Sequence, residues 1–72
     1  MKEKLIQLWE RKERYMEEYP TREVRAAFFH QAFGALEMAM TISDNWEKEA
    51  ELIELWDNEW KVRLEKKIYE VR

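Results

Sequence analysis

Residues 24–40, VRAAFFHQAFGALEMAM, decide the fold because a helix over them has almost no polar side. Only a narrow strip of this helix is built from polar or small residues: Glu23, Ala27, His30, Gly34, Glu37 and Thr41. A helix that is hydrophobic nearly all round is normally a buried helix. The sequence therefore predicts that this segment is the central, largely buried element of the fold.

The composition restricts the chain to one helical domain. Seventy-two residues are enough for a single domain, 1–72, and one Gly and one Pro are too few for strands and tight turns. There is no Cys for a disulfide, and a single His cannot build a Cys/His zinc site. We therefore predict an all-α chain without a metal or cofactor.

The first break between helices is EEYPTRE, residues 17–23. Pro20 lacks an N–H and disfavours helical geometry at the residue before it. A new helix then starts either with Thr21 as its cap or with Pro20 at its first position.

The second break is TISDNWEKE, residues 41–49, where three capping residues follow one another. Asp44 and Glu47 have the spacing of a capping box. The two breaks predict helices over residues 3–18, 21–42 and 45–70. Because both connections are short, neighbouring helices should be antiparallel, which gives an up-down-up three-helix bundle.

The apolar faces of the outer helices follow from their spacing. Helix 1 carries one stripe: Leu5, Leu8, Trp9, Tyr15, Met16 and Tyr19. Helix 3 carries a broad main face: Trp46, Ala50, Ile53, Trp56, Trp60, Leu64, Ile68 and Val71. It also carries a thinner second stripe: Leu52, Leu55, Val62 and Tyr69. Two stripes are expected on a helix that touches two others.

Helix 2 has more apolar surface than its two neighbours can cover. The simplest cover is a second copy of the chain, since twofold homodimers are the commonest oligomers. The alternative is that long side chains of the other helices lean over the excess surface. Ala27 and Gly34 would let another helix approach closely, and Gly34 costs about 1 kcal/mol relative to Ala within a helix, which favours a packing role for it.

Charge is distributed unevenly along helix 3. Residues 44–59 hold seven acids and one base, whereas residues 60–72 hold five bases and two acids. This layout suits the helix macrodipole, and it also suits an antiparallel pairing with a second copy or with another protein. A net charge of −3 argues against nucleic acid as the partner. A remote alternative is weak nucleic-acid association through the basic end of helix 3: Lys61, Arg63, Lys66, Lys67 and Arg72.

Candidate catalytic groups are sparse. His30 is the only histidine, and its nearest acids on the polar strip, Glu23 and Glu37, are each seven residues away, so a structural role at an interface is expected. Acids at positions 51, 54 and 57 have a spacing that could hold magnesium, but they lie opposite the apolar face. We predict no catalytic, cofactor or metal site, and therefore no enzyme.

Trp56 and Trp60 lie one turn apart, toward one edge of the main face of helix 3, and Trp is enriched at interface hot spots. The sequence therefore favours a small interaction or assembly protein, most simply a cytoplasmic homodimer, since no apolar run approaches a membrane span of about 18 residues. Its predicted contact residues are Ala27, His30, Gly34, Glu37, Trp56 and Trp60. The alternative is a modulator or inhibitor that docks on a larger host protein.

Overall fold

Three helices make up the part of the chain that the computed structural model describes, residues 2–70. Helix α1 spans Lys2–Glu18, α2 spans Arg22–Ile42, and α3 runs over residues 46–69. The all-α, three-helix prediction is confirmed for these residues, with helix ends within one residue of the predicted ones. The helices form a compact body of 41 × 18 × 17 Å. Val71 and Arg72, which the sequence placed on an apolar face and a basic end, lie outside the described residues.

The caps differ from the predicted ones in detail. Helix α2 begins after Thr21, whose side chain makes no capping hydrogen bond. Helix α3 is capped by Asn45, whose Oδ1 accepts hydrogen bonds from the N–H groups of Glu47, at 2.9 Å, and Lys48, at 3.4 Å. The cap is therefore Asn45, one residue beyond the predicted Asp44, and it acts alone and not as part of a capping box. The backbone stays extended at Asn45, so it is this side chain that reaches the free N–H groups of the first turn.

The core is built on tryptophan. The ring of Trp9 in α1 lies 5.2 Å from that of Trp56 and 5.9 Å from that of Trp60, centroid to centroid. The buried apolar residues around this cluster come from all three helices: Leu5, Trp9, Met16, Ala32, Leu36, Ala39, Leu52, Trp56, Trp60 and Leu64. One contiguous core therefore joins the three helices.

Helix α3 contains one π-helical turn, which the sequence did not predict. The helix is α-helical over Trp46–Leu55, π-helical over Trp56–Trp60 and α-helical again over Lys61–Tyr69. The N–H of Lys61 bonds to the carbonyl of Trp56, five residues back. This turn therefore takes up one more residue than an α-helical turn.

The π turn explains which side of α3 is buried. The core residues of α3 recur every four positions: Leu52, Trp56, Trp60 and Leu64. On a regular α-helix such a row would drift by about 40° at each step, and the wider turn reduces that drift. The predicted main face is therefore wrong at its start, because Leu52 is buried whereas Trp46 is 74% exposed.

Contacts between α1 and α2 run in opposite senses along the two helices. Near the middle of α1, the indole N–H of Trp9 donates to the carbonyl oxygen of Ala32 at 3.0 Å. Further along, Lys12 Nζ donates to Gln31 Oε1 at 2.7 Å. At the end of α1, the Tyr19 ring lies 6.2 Å from that of Phe28.

Besides the tryptophan contacts, three ion pairs join α1 and α3, and they run in the same sense along both helices. Lys2 pairs with Glu51 at 2.7 Å, near the start of both helices. Further along, Glu13 pairs with Arg63 at 2.5 Å and Glu17 with Lys67 at 2.9 Å. In each pair, the residue of α3 follows its α1 partner by about 50 positions in the sequence. Residues of α1 and α3 that are about 50 positions apart therefore lie at the same height along the bundle.

Helix α2 contacts both other helices, but the prediction that it is largely buried is wrong for the single chain. Only four of its residues are buried: Arg25, Ala32, Leu36 and Ala39. Four large apolar residues of α2 are exposed: Val24, Phe33, Met38 and Ile42. The physical reason is that α1 and α3 pack against the same side of α2, which leaves its opposite side uncovered.

Candidate association surface

An apolar groove lies between the first half of α1 and the second half of α2. It is shallow and open, has a volume of about 290 Å³, and is lined almost wholly by apolar side chains: Lys4, Leu5, Leu8, Ala35, Met38, Ala39 and Ile42. Met38 and Ile42 stand on its α2 rim and are 66% and 65% exposed. Here large apolar side chains are exposed side by side, unlike apolar residues scattered singly over a surface, which need no explanation.

The spacing of the lining residues explains the groove. Ala35, Met38 and Ile42 recur at intervals of three and four, so they share one side of α2. Lys4 and Leu8 are one turn apart on the facing side of α1. The floor consists of Leu5 and Ala39, which belong to the core. The groove is therefore a continuation of the core to the surface.

The side of α1 next to the groove is basic. Lys4 lines the groove, and Arg11 is exposed seven residues later in the same row of the helix. Lys12 reaches across to Gln31 of α2 and stands 5.6 Å from the centre of the Phe28 ring. We call the groove together with Lys4, Arg11 and Lys12 the basic face.

The opposite flank of α2, next to α3, carries exposed apolar residues with acids. The Phe33 ring lies 6.0 Å from that of Trp56, which places Phe33 on the α3 side of α2. On the helical wheel of α3, Ile53 is rotated by about 200° from Glu51, whose carboxylate pairs with Lys2 of α1. Ile53 therefore lies on the side of α3 that is turned away from α1 and toward α2. By the same spacing, Trp46 lies on the side of Ile53.

Acidic side chains accompany these apolar residues. Glu37 is exposed one turn beyond Phe33, and Asp57 is exposed one turn beyond Ile53. We call the group Phe33, Glu37, Trp46, Ile53 and Asp57 the acidic face. Each of the two faces is bordered by a charge of the opposite sign: Glu18 is exposed seven residues beyond Arg11, and Lys61 is exposed one turn beyond Asp57.

Between the two faces runs the outer ridge of α2, and four of the predicted contact residues lie on or beside it. Ala27, His30 and Glu37 are exposed, and Gly34 is half-buried. A Cβ built on Gly34 meets no atom within 4 Å. The structure therefore brings these four residues together on the side of α2 that points away from α1 and α3.

The other two predicted contact residues lie elsewhere. Trp56 and Trp60 are 2% and 3% exposed and pack on Trp9, so they belong to the core and form no exposed edge. The π turn is the reason, because it keeps both indoles on the buried side of α3. Trp46, which the sequence grouped with them on one face, is the exposed tryptophan of this helix.

Two of the bases at the end of α3 are engaged by acids of α1. The Glu13 carboxylate accepts a hydrogen bond from Arg63 and raises the pKa of that guanidinium. The hydrogen bond between Lys67 and Glu17 lowers the pKa of Glu17 and raises the pKa of Lys67. Of the predicted basic end, Arg63 and Lys67 are therefore neutralised locally, which weakens the nucleic-acid alternative.

A depression of about 460 Å³ lies at the end of the bundle, beside the connection between α2 and α3. Its charged lining residues carry both signs: Lys2, Asp44, Lys48 and Glu51. Lys2 donates to Glu51, and this hydrogen bond lowers the pKa of Glu51. Within residues 2–70, no three His, Cys, Asp or Glu side chains are grouped so that they could hold a metal ion.

Comparison of the chain with protein families, curated proteins and solved structures gives no match. Across the described residues, no helix combines the length and the apolar character that crossing a membrane requires. What the chain does is therefore inferred from the chemistry of its surfaces.

Proposed function

We propose that the chain is a small, non-enzymatic helical assembly protein that associates with a second copy of itself through the outer side of α2. The observation that carries this proposal is the apolar groove, whose rim residues Met38 and Ile42 are about two-thirds exposed. Burial of such surface is favourable by about 25 cal/mol per Å². Covering the groove would therefore stabilise both the association and the fold.

The size of the chain supports a second copy as the partner. A single core in a chain of this size contributes about 3–5 kcal/mol of net stability, and small domains commonly add a disulfide, a metal or an oligomeric contact. The chain has no Cys for a disulfide. Association of two copies supplies the missing contact without any other molecule.

We also infer that the helices of the associating unit run up, down and up. The contacts of Trp9 with Ala32 and of Lys12 with Gln31 support opposite directions for α1 and α2. The ion pairs of Lys2 with Glu51 and of Glu17 with Lys67 support the same direction for α1 and α3.

Sedimentation equilibrium over a hundredfold range of protein concentration tests the self-association. We expect the wild-type chain to approach twice its monomer mass of 9.0 kDa as concentration rises. Met38→Lys places a charge in the groove and should shift the chain toward the monomer. Val62→Lys is the matched control, because Val62 is 62% exposed but lies on α3 outside the groove. A wild-type chain that remains monomeric throughout would refute the proposal.

The exposed groove also favours the second function considered from the sequence, docking on a larger host protein. Helical partners commonly insert apolar side chains into such grooves. A monomeric wild-type chain that binds a host protein, with loss of binding in Met38→Lys, would support this function instead.

A further inference from the structure

Met38 is the most exposed methionine among residues 2–70, at 66%. Met16 is fully buried in the core, and Met40 is partly buried against it. The chain has no cysteine, so its sulfur chemistry is confined to thioethers. Because an oxidant reaches an exposed thioether before a buried one, Met38 is the first of these three methionines to react.

The thioether of Met38 belongs to the rim of the apolar groove between α1 and α2. Ala35 and Ile42 lie about one turn before and after it on α2, and Leu8 lines the groove from α1. A second copy that covers the groove therefore contacts this thioether. The same thioether lies outside the core that holds the single chain together.

Resting on the proposed self-association, we propose that Met38 is a site of reversible oxidation and that its sulfoxide keeps the second copy from covering the groove. The oxidant is a peroxide, and the reductant is a thiol used by a methionine sulfoxide reductase. Association and oxidation then exclude each other, because association needs the thioether covered and oxidation needs it open to solvent.

The chemistry is the transfer of one oxygen atom. The sulfur of Met38 attacks one oxygen of hydrogen peroxide, the O–O bond breaks, an S–O bond forms, and water leaves. Sulfur loses two electrons and the peroxide gains them. In the reverse reaction two thiols are oxidised to a disulfide, the sulfoxide returns to the thioether, and its oxygen leaves as water.

The sulfoxide changes the groove from an apolar to a polar surface. Its oxygen accepts hydrogen bonds, and water supplies them while the groove is open. The side chains that line the groove are apolar except for that of Lys4. A covering copy would remove the water, and burying a polar group without a hydrogen-bond partner is unfavourable. Oxidation therefore stabilises the open chain relative to the dimer.

The exposure of Met38 also separates an effect on association from an effect on the fold. The single chain buries little of this side chain, so its oxidation removes no core contact. Oxidation of Met16 would instead place a polar group among the buried side chains of all three helices. Of these two positions, only Met38 is suited to a reversible change of assembly.

The shape of methionine offers a second explanation for its presence at position 38. Its flexible side chain fills irregular gaps, which suits an interface between proteins whatever the oxidant. Leucine supplies a similar apolar surface without the sulfur, and volume-conserving exchanges of this kind are well tolerated. Met38→Leu therefore distinguishes packing from oxidation.

Treatment with dilute hydrogen peroxide at several protein concentrations tests the mutual exclusion. The rate of oxidation at Met38, measured by mass spectrometry of proteolytic peptides, should fall severalfold as concentration rises through the dissociation constant of the dimer. Free methionine added to each sample is the internal reference, and its rate should not change. A constant rate at Met38 in samples that sedimentation equilibrium shows to be dimeric would refute the proposal.

Sedimentation equilibrium of the oxidised chain tests the effect on association. Chain oxidised only at Met38 should form the dimer with a dissociation constant about tenfold higher or more, and a methionine sulfoxide reductase should restore the original value. Met38→Leu should dimerise like wild type and keep its affinity in peroxide. Met38→Gln, which imitates the polarity of the sulfoxide, should associate weakly without any oxidant. Circular dichroism should show the same helicity in all four samples.

The outcomes separate this proposal from the proposed function. If wild type dimerises and the chain oxidised at Met38 dimerises as tightly, the oxidation site is refuted while self-association stands. The same conclusion follows if Met38→Leu loses as much affinity in peroxide as wild type does, or if oxidation at Met38 unfolds the chain. A wild-type chain that stays monomeric at every concentration would refute the proposed function and this regulation with it.

Discussion

The indole N–H of Trp9 donates a hydrogen bond to the carbonyl oxygen of Ala32, 3.0 Å away across the contact between α1 and α2. The same side chain is fully buried against Trp56 and Trp60 of α3. A single residue of α1 thus connects all three helices, by a hydrogen bond on one side and by ring contacts on the other.

Trp9→Phe should lower the free energy of unfolding by about 2 kcal/mol, because the variant loses the hydrogen bond and leaves a partly empty site. Urea unfolding followed by circular dichroism measures this change. Trp46→Phe is the matched control, since Trp46 is mostly exposed and its replacement should change the unfolding free energy by less than about 0.5 kcal/mol. Equal stability of the two variants would contradict the central role of Trp9.

Trp60→Ala should destroy the fold before it affects association. Truncating a buried Trp costs about 3–5 kcal/mol, which is comparable to the whole net stability expected for a domain of this size. The variant should lose most of its helical circular dichroism at every protein concentration. A variant that keeps its helicity and loses only the dimer would instead support the sequence-based interpretation of Trp60 as a contact residue.

The helices could be predicted from the sequence because their boundaries rest on local chemistry. Pro20 and the capping residues near Asn45 act on their immediate neighbours, so one chain is sufficient to find them. The amphipathic stripe of α1 was likewise visible, since Leu5, Trp9 and Met16 are buried as the spacing predicts.

The burial of α3 could not be predicted in the same way. A wheel of constant angle assumes a regular α-helix, and the π turn at Trp56–Trp60 violates that assumption. The recurrence of large apolar residues every four positions from Leu52 to Leu64 was the available signal. An ordinary amphipathic stripe alternates intervals of three and four residues. A strict interval of four stays on one side of the helix only if a turn is wider than an α-helical turn.

Two charged residues of the interior were also missed. Glu13 is nearly buried beside Arg63, and Arg25 is buried with its guanidinium donating to the carbonyl of Lys67 at 2.6 Å. Both depend on partners about 40 to 50 positions away in the sequence. Periodicity within one helix contains no information about such pairs.

The pair formed by Lys67 and Glu17 should give a measurable pH dependence. Because the folded-state pKa of Glu17 is lowered, the pair contributes stability above the unfolded-state pKa of about 4.3 and loses it as pH falls through the folded-state pKa. Titration of the side-chain carboxyl by NMR should give a lower pKa in wild type than in Lys67→Met.

Lys2→Met serves as the control for this titration. It should raise the pKa of Glu51, whose carboxylate accepts a hydrogen bond from Lys2, and leave that of Glu17 unchanged. If neither lysine variant changes the pKa of its own partner, the ion pairs are not formed in solution. A change at both carboxyls from one variant would indicate a rearrangement of α1.

Gly34 is the position at which fold and association should separate most clearly. Nothing lies within 4 Å of an added Cβ, so Gly34→Ala should stabilise α2 by about 0.5–1 kcal/mol and be tolerated by the single chain. Gly34→Leu also fits the single chain but places a bulky side chain on the ridge between two copies of α2. It should therefore keep or increase the helicity while raising the dissociation constant of the dimer about tenfold or more. Circular dichroism and sedimentation equilibrium on the same samples measure both effects. If Gly34→Leu dimerises as tightly as Gly34→Ala, the ridge faces water and the partner contacts a different side of the chain.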